Sequence, residues 1–395
     1  MLSAIHQARK LLGKSLGRSF LVLCAVMLSA CVPAGAPSTG PVTGAGGTVQ
    51  VALLIPSGSG QAQDELFGQN LENAARLAMA DLSGVSIDLR VYRTGGSPAQ
   101  ASALARQAVD EGAQVILGPF YSEEANAAGV AVANSGVNVL AFSNNAAIAG
   151  GNVFVLGQTF DNTARRLASY AVRNGKSKIL IVHDRNVAGE VGKAAIERGV
   201  AAAGGSVVGV SSYEFSQNGI VQAATGIVGS ARSSGATALF LTADTAGALP
   251  LLSQLLVDNG IDRASTQFIG LTRWDIPPGT LALPGVQGGW FAMPDPGLQA
   301  QFQSRYLAAY GSVPAQVAGL AFDGIAAIGA LARSSNGAPI SRESLTQGAG
   351  FAGVSGIFRL LPNGTNERGL AVAAIRDNRV VVIDAAPRSF AGAGF

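Results

Sequence analysis

Hydroxyl and amide side chains follow two consecutive apolar runs of the sequence, and this spacing is typical of a small-ligand site. Residues 113–117 and 137–142 are short, apolar and bounded by turn residues, as expected for strands that are buried on both faces. Ser122 comes soon after the first run, and Ser143 and Asn144 come directly after the second. In an open α/β sheet the loops at the carboxyl ends of neighbouring strands lie side by side, and ligands bind there.

The stretch between these two strands predicts a helix that begins at the same edge of the sheet. Gly118 and Pro119 end the first strand, and we expect Ser122 to be the N-cap. Glu123 and Glu124 then fall in the first turn, where acidic side chains suit the helix dipole.

The residue inventory argues against catalysis and against a metal site. The histidines are His6 and His183, and the two cysteines, Cys24 and Cys31, both lie near the N-terminus. A thiolate metal site or a disulfide framework is therefore excluded in the rest of the chain. The sequence contains no Gly-x-Ser-x-Gly nucleophile elbow. We predict a non-enzymatic protein that needs neither a cofactor nor a metal.

Length and charge limit the class of protein further. A chain of 395 residues is too long for one core and suggests two domains or lobes. The formal net charge of +3 includes four basic residues among the first 31, which contain no acid. Without these four the remainder carries a formal charge of −1, and no later Lys/Arg cluster occurs. Nucleic acid is therefore not an expected partner.

The N-terminal segment has the features of an export signal followed by a tether. Basic residues precede an apolar run over 20–30 that is too short to span a bilayer. Leu28-Ser29-Ala30-Cys31 resembles a bacterial lipobox, which implies lipidation of Cys31; the alternative is an ordinary signal with an incidental Cys. By the same resemblance, Val32 favours the outer membrane over the inner one. Residues 32–47 are uncharged and rich in Pro and Gly, which predicts a flexible linker.

From residue 48 onward, strand and helix patterns alternate, and the alternation restarts after a strand over 153–156. Two α/β units with parallel, doubly wound sheets are the expected result. In the second unit, predicted strands end in polar groups that include Asp184, Asp244 and Asp275. Near the C-terminus, Asn363-Gly364 and Asp377-Asn378 separate apolar runs and predict antiparallel hairpins.

Several passages, in this order and spacing, resemble the type I periplasmic binding proteins of the Leu/Ile/Val-binding family. They are Val-Ala-Leu-Leu-Ile-Pro-Ser-Gly-Ser-Gly from residue 51, Gly-Ala-Gln-Val-Ile-Leu-Gly-Pro-Phe-Tyr-Ser from 112, Val-Asn-Val-Leu-Ala-Phe-Ser from 137, Leu-Ala-Phe-Asp-Gly from 320, and the closing hairpins. The resemblance covers about 48–384. It implies two Rossmann-like lobes joined by crossovers, which close on a ligand by a hinge motion. We expect an N-terminal lobe of 48–155 plus 292–335 and a C-terminal lobe of 156–291 plus 336–395.

The resemblance also implies roles for individual residues. Loops of the first lobe would hold the carboxylate of an amino-acid ligand through Ser57, Ser122, Ser143 and Asn144. The second lobe would supply an acid for the ammonium group, and the candidates at its strand ends are Asp184, Asp244 and Asp275. Trp274 would form an apolar wall of the cleft.

Two functions remain open for a protein of this family. The compact opening, with Tyr92-Arg-Thr-Gly-Gly-Ser-Pro98 in place of an acidic turn, looks more like the penicillin-binding protein activators. These are outer-membrane lipoproteins that stimulate a peptidoglycan synthase. We therefore expect such an activator, held in the periplasm by a lipid in the inner leaflet of the outer membrane. The alternative is a substrate-binding receptor for amino acids or similar solutes, with an ABC transporter permease as its partner.

Overall fold

The fold is described from a computed structural model, which covers residues 48–334 and 340–391. The predicted signal segment, the lipidation site Cys31 and the linker over 32–47 lie outside the described residues. Within the described part of the chain, no helix combines the length and the apolar character needed to cross a membrane.

The first sheet contains five parallel strands at the start of the described chain. They are β1 (Thr48–Ile55), β2 (Ser86–Arg93), β3 (Val115–Leu117), β4 (Asn138–Ala141) and β5 (Val153–Val155). Their spatial order is β2-β1-β3-β4-β5. This is a doubly wound order, in which the carboxyl ends of β1 and β3 lie next to each other.

The second sheet repeats the same order and extends it with antiparallel strands. It is built from β6 (Lys178–Asp184), β7 (Ser206–Tyr213), β8 (Ala238–Leu241), β9 (Gln267–Gly270) and β10 (Trp290–Met293), with β14 (Ala371–Arg376) and β15 (Arg379–Asp384) at one edge. The spatial order is β15-β14-β10-β9-β8-β6-β7. The turn from β14 to β15 contains Asp377 and Asn378 at φ 51° and 59°. A two-residue hairpin turn needs positive φ at both central positions, so the predicted hairpin is present.

A small antiparallel sheet completes the strands of the described chain. It consists of β11 (Phe351–Gly353), β12 (Gly356–Leu360) and β13 (Asn366–Arg368), with β12 in the middle. Asn363 and Gly364 form the turn between β12 and β13, where Gly364 has φ +82° and lacks room for a side chain. The Asn-Gly pair thus joins β12 and β13 in a hairpin. The following strand, β14, is not part of the small sheet and pairs with β10 in the second sheet.

The helices connect these strands and cover both faces of each large sheet. They are α1 (Ala62–Ala80), α2 (Pro98–Asp110), α3 (Ser122–Ala131), α4 (Phe160–Arg173), α5 (Val187–Ala202), α6 (Gln217–Ser234), α7 (Leu249–Asp258), α8 (Pro296–Tyr310), α9 (Ala318–Ser334) and α10 (Arg342–Leu345). Several begin at a side-chain cap, such as Thr159 with Asn162 at α4 and Asp295 before Pro296 at α8. Two end at a left-handed glycine, Gly235 after α6 and Gly311 after α8.

Each large sheet is buried on both faces, which explains its continuous apolar strands. In β1, Val51 and Leu53 belong to one core cluster, whereas Ala52 and Leu54 belong to another. Because side chains alternate along a strand, the two clusters lie on opposite faces of the sheet. In β6, Ile181 and Val182 divide in the same way between the two clusters of the second sheet. The expected architecture of two α/β lobes is confirmed.

The chain passes between the two lobes three times, at segments that we call the crossovers. They are residues 156–159 after β5, 294–295 after β10 and 369–370 after β13. The predicted boundary at residue 292 falls inside β10, which lies wholly in the second sheet between β9 and β14.

The predicted assignment of 336–395 to the second lobe does not match the packing of its first part. Ile340, Leu345, Phe351 and Phe358 are buried in the same core cluster as β1. Only from β14 onward does the chain join the second sheet. Apolar runs predict strands, but they do not indicate which of two sheets a strand joins.

A buried ion pair ties α9 to the end of β13, directly before the third crossover. Arg368 Nη1 and Asp323 Oδ2 are 3.2 Å apart, and their side chains are only 4% and 0% exposed. Burial raises the pKa of Asp323, and the charge of Arg368 opposes that shift. Arg368 Nε also donates to the carbonyl of Leu156 at 2.9 Å, and Asp323 Oδ1 accepts from the amide of Val354 at 2.8 Å. One pair of side chains therefore fixes two crossovers and the small sheet.

We predict that Arg368→Met destabilises the protein by about 3–5 kcal/mol, because it leaves Asp323 buried without its partner. Urea denaturation measures this loss. The double variant Asp323→Leu/Arg368→Met should recover part of it, since an apolar pair carries no desolvation cost.

The matched control is Arg185→Met, which removes an exposed pair with Glu214 whose side chains are 54% and 61% exposed. That change should cost no more than about 1 kcal/mol. Equal losses for Arg368→Met and Arg185→Met would show that the buried pair does not hold the crossovers.

Candidate functional site

A cavity of about 460 Å³ opens where the first sheet meets the crossovers. The loops after β3 and β4 form one wall, and Gly157, Gln158, Pro294 and Leu370 of the crossovers form its base. Gln299 of α8, Leu320 of α9 and Val317 just before α9 also line the cavity, and the loop after β9 adds Arg273. The cavity thus lies at the carboxyl edge of the sheet, where the sequence predicted a ligand site.

Ser122 lines the cavity but does not cap the helix. The N-cap of α3 is Tyr121, which gives no side-chain cap, and Ser122 is the first helical residue. Its hydroxyl donates to Glu123 Oε2 at 3.1 Å. The prediction of Ser122 as N-cap is therefore wrong by one position, because the extended residue before the helix is Tyr121. The start of α3 is left without a side-chain acceptor at the wall of the cavity.

Ser143 and Asn144 also line the cavity, at the end of β4. Ser143 is nearly buried, and its Oγ accepts from the amide of Asn145 at 3.1 Å, which leaves its own proton available. Asn144 is exposed. Gly157 donates to the carbonyl of Ser143 at 3.0 Å, and a Cβ at this glycine would lie 2.5 Å from the same oxygen. The first crossover can approach this loop so closely only because residue 157 is Gly.

Aromatic side chains give the same wall an apolar surface. The rings of Phe120 and Tyr121 lie 5.0 Å apart, edge to face, and Phe67 packs 5.1 Å from Phe120 on the other side. Phe142 is nearly buried and also lines the cavity. The cavity therefore combines an apolar wall with hydroxyl and amide groups, which is typical of small-molecule sites.

Ser57, the remaining first-lobe candidate, does not line the cavity. It is 5% exposed and lies against Gly68 of α1, where a Cβ would meet the Ser57 hydroxyl at 2.0 Å. The following amide, of Gly58, donates to Glu65 Oε1 at 2.6 Å. The turn after β1 is thus occupied by contacts with α1, and Ser57 has a packing role.

Two of the second-lobe acids lie away from the cavity. Asp184 is 8% exposed; Thr242 Oγ1 donates to its Oδ1 at 2.6 Å, and Asn186 donates to its Oδ2. Asp244 is exposed, and its backbone carbonyl accepts from the amide of Leu249 at the start of α7. The carboxylate of Asp184 is therefore held by local partners, and neither acid lines the cavity.

The segment 273–275 differs most from its predicted role. Trp274 is fully buried in the core of the second lobe, against Gly270 and Gly289, so it cannot form a wall of the cleft. Asp275 accepts from Arg273, from Nε to Oδ1 at 2.9 Å and from Nη2 to Oδ2. Asp275 does not line the cavity, whereas Arg273 does.

Arg273 and Arg368 are the two cationic residues in the cavity lining, and neither was among the site residues predicted from the sequence. Arg273 stands two positions before an acid that was recognised, and this spacing was a usable signal. Arg368 offered none, since its partner Asp323 is 45 residues away in the sequence. Among the described residues, no group of three or more His, Cys, Asp or Glu could hold a metal ion.

Behind the cavity wall, Glu124 is a fully buried acid. It is 0% exposed, and within the described residues neither carboxyl oxygen has a hydrogen-bond partner. The nearby hydroxyl of Thr94 donates to the carbonyl of Ile55 instead, at 2.9 Å. Burial raises the pKa of Glu124. The Thr94 side chain and the Tyr121 backbone oppose this shift, and the charges of Asp64 and Glu123 add to it. Tyr121 donates to Asp64, so the N-terminal turn of α3 is packed over an acidic interior.

Comparison with known proteins places these features in one family. The family model for periplasmic binding proteins matches residues 48–379. No curated protein sequence matches the chain significantly.

Solved structures of similar fold come from several bacteria. A Rhodospirillum rubrum protein ascribed to a branched-chain amino acid ABC transporter is 20% identical, with a TM-score of 0.71 over 85% of this chain and 99% of that one. A Desulfitobacterium hafniense ABC transporter substrate-binding protein in complex with Leu is 17% identical, with a TM-score of 0.60 over 85% and 100%. An R. palustris solute-binding protein in complex with 4-hydroxybenzoate is 18% identical, with a TM-score of 0.58 over 86% and 96%.

We predict that Glu124→Gln raises the thermal stability at pH 8, because it removes a buried charge that has no partner. A raised pKa in the folded state means that the wild type loses stability as the pH rises from the unfolded value of about 4.5. The gain of the variant should therefore disappear near pH 4. Thermal melts of both proteins between pH 4 and 8 measure this difference.

The control is Glu123→Gln at the neighbouring exposed position, for which we expect little change in melting temperature at any pH. A Glu124→Gln gain that is independent of pH would contradict the assignment of the effect to this carboxyl group.

Proposed function

The chain belongs to the periplasmic binding protein family, and from this premise we propose that it is the substrate-binding receptor of an ABC transporter for a small polar organic solute. The family implies a periplasmic location. The observation that carries the proposal is the cavity, whose donors and apolar wall meet at the carboxyl edge of the first sheet.

The size and the lining of the cavity support a solute rather than a macromolecule. A volume of about 460 Å³ lies within the usual range of about 300–1,000 Å³ for small-ligand pockets. Ser122, Ser143 and Asn144 supply polar groups, whereas Phe120 and Leu320 supply apolar surface. Two relatives of similar fold are described as complexes with Leu and with 4-hydroxybenzoate, which are both small carboxylates.

In the proposed mechanism, the ligand binds first to the loops of the first lobe and the second lobe then closes over it. The crossovers are the only described connections through the backbone between the two sheets, so closure bends them. Gly157 lies in the first crossover and Arg368 lies directly before the third, and both residues line the cavity. A bound solute therefore contacts the segments that must move. Chemistry on the ligand is not part of this mechanism, and the role is non-catalytic.

The activator role does not form part of the proposal. None of the relatives named above is described as an activator of a peptidoglycan synthase, and the resemblance of residues 92–98 to the activators is a sequence pattern alone. Lipidation of Cys31 and attachment to the outer membrane stay predictions from the sequence. An ABC transporter permease is the partner that the proposal requires.

The test is a thermal-shift panel of amino acids, organic acids, sugars and other polar solutes on the full chain. A solute at a hundred times its Kd stabilises the protein by about 2.7 kcal/mol, which gives a shift of several degrees. The double variant Ser122→Ala/Ser143→Ala should weaken binding of the solute by about tenfold or more, because each lost hydrogen bond costs about 0.5–1.5 kcal/mol.

Ser233→Ala on the exposed side of α6 is the matched control and should leave the affinity unchanged. If no solute in the panel stabilises the protein, or if the double serine variant binds the solute as tightly as the wild type, the proposed receptor role of this cavity is wrong.

A further inference from the structure

Arg273 lines the cavity from the second lobe and has hydrogen-bond donors that no described residue accepts. Its Nε and Nη2 atoms donate to Asp275, but within the described residues Nη1 has no hydrogen-bond or ion-pair partner. The side chain is 20% exposed and lines the cavity. A guanidinium that is held along one edge and free at the other is oriented for an incoming acceptor.

Asp275 is not available to a ligand in the same way. Its two carboxyl oxygens both accept from Arg273, its side chain is 11% exposed, and it does not line the cavity. An ammonium group would have to displace the guanidinium to reach it. The second lobe therefore offers the ligand a donor, whereas an amino-acid ammonium group requires an acceptor.

The other charged residues at the cavity do not change this conclusion. Arg368 is committed to Asp323 and to the carbonyl of Leu156, so it is not free to bind a second anion. Glu123 is exposed, accepts from Ser122 and forms no ion pair with Arg273 in the described structure. Arg273 is thus the cation with free donors at the cavity of the described chain.

We propose that Arg273 binds the anionic group of the ligand, and that the solute is a small carboxylate with an apolar body and no ammonium group. This inference rests on the proposed receptor function and specifies its substrate class. Asp275 fixes the orientation of the guanidinium, and the apolar wall of Phe120, Phe142 and Leu320 receives the body of the acid.

The experiment measures the affinity of the full chain for two matched series by isothermal titration calorimetry. The first series is 4-methylpentanoate, its amide 4-methylpentanamide, and leucine, which has the same body and an added ammonium group. The second series is 4-hydroxybenzoate and 4-hydroxybenzamide. We expect at least one of the two acids to bind, and to bind about tenfold or more tightly than its amide, because a hydrogen bond to a charged group is the stronger kind. Leucine should bind more weakly than 4-methylpentanoate.

Substitutions test which side chains cause the preference for the acid over its amide. Arg273→Gln should weaken binding of the acid by about 10- to 100-fold and leave the amide nearly unchanged. Asp275→Asn should not change leucine binding more than it changes binding of 4-methylpentanoate. The comparison of acids with amides needs only the wild-type protein, so it remains decisive even if a variant fails to fold. The control is Arg185→Gln, at an exposed pair away from the cavity.

Three outcomes overturn the inference. If an amide binds as tightly as its acid, or if Arg273→Gln retains the affinity for the acid, the anion is not held by Arg273, although the receptor function stands. If leucine binds most tightly and Asp275→Asn abolishes its binding while sparing 4-methylpentanoate, Asp275 is the ammonium partner. If neither acid binds, the substrate class is wrong, and the wider solute panel decides the receptor function separately.

Discussion

The buried ion pair of Arg368 and Asp323 is the interaction that fixes two of the crossovers against the first lobe. Burying two charges is costly, and such a pair is tolerated when further hydrogen bonds satisfy both partners. Here the carbonyl of Leu156 and the amide of Val354 supply them. These two groups belong to the first crossover and to the small sheet. The hydrogen bonds that satisfy the buried charges therefore also hold the first crossover in place. Because residues of the crossovers line the cavity, the same hydrogen bonds help to fix the position of its base.

The cavity differs from a simple pocket because its two sides present different chemistry. The first lobe offers hydroxyl groups, an uncapped helix start and aromatic rings, all placed by strand ends of one sheet. The second lobe contributes a guanidinium that is already oriented by a neighbouring acid. The orientation is present before any ligand arrives, so little side-chain freedom is lost on binding.

The fold could be predicted because it is encoded locally. Alternating apolar strands and helices, with turn residues between them, indicate a doubly wound sheet wherever they occur. Ser122 and Ser143 were found for the same reason, since strand ends fix the edge on which they lie. Trp274 and Asp275 do not line the cavity as predicted, because a strand end does not specify which way each side chain points in the following loop. The partnership of Arg368 with Asp323 is a tertiary contact, and no local pattern encodes it.

Because the chain passes between the lobes several times, the first lobe cannot be completed until later parts of the chain have been synthesised. One face of the first sheet is covered by α1 and α9 together, and α9 follows the whole parallel part of the second sheet in the sequence. A growing polypeptide therefore carries β1 to β5 with part of that apolar face uncovered until the parallel strands of the second lobe and α9 have been synthesised. Exposed strands of this kind are the species that aggregate during folding. The N-terminal half thus depends on late residues for its solubility, and a chain truncated before α9 would lack both a finished lobe and a protected sheet.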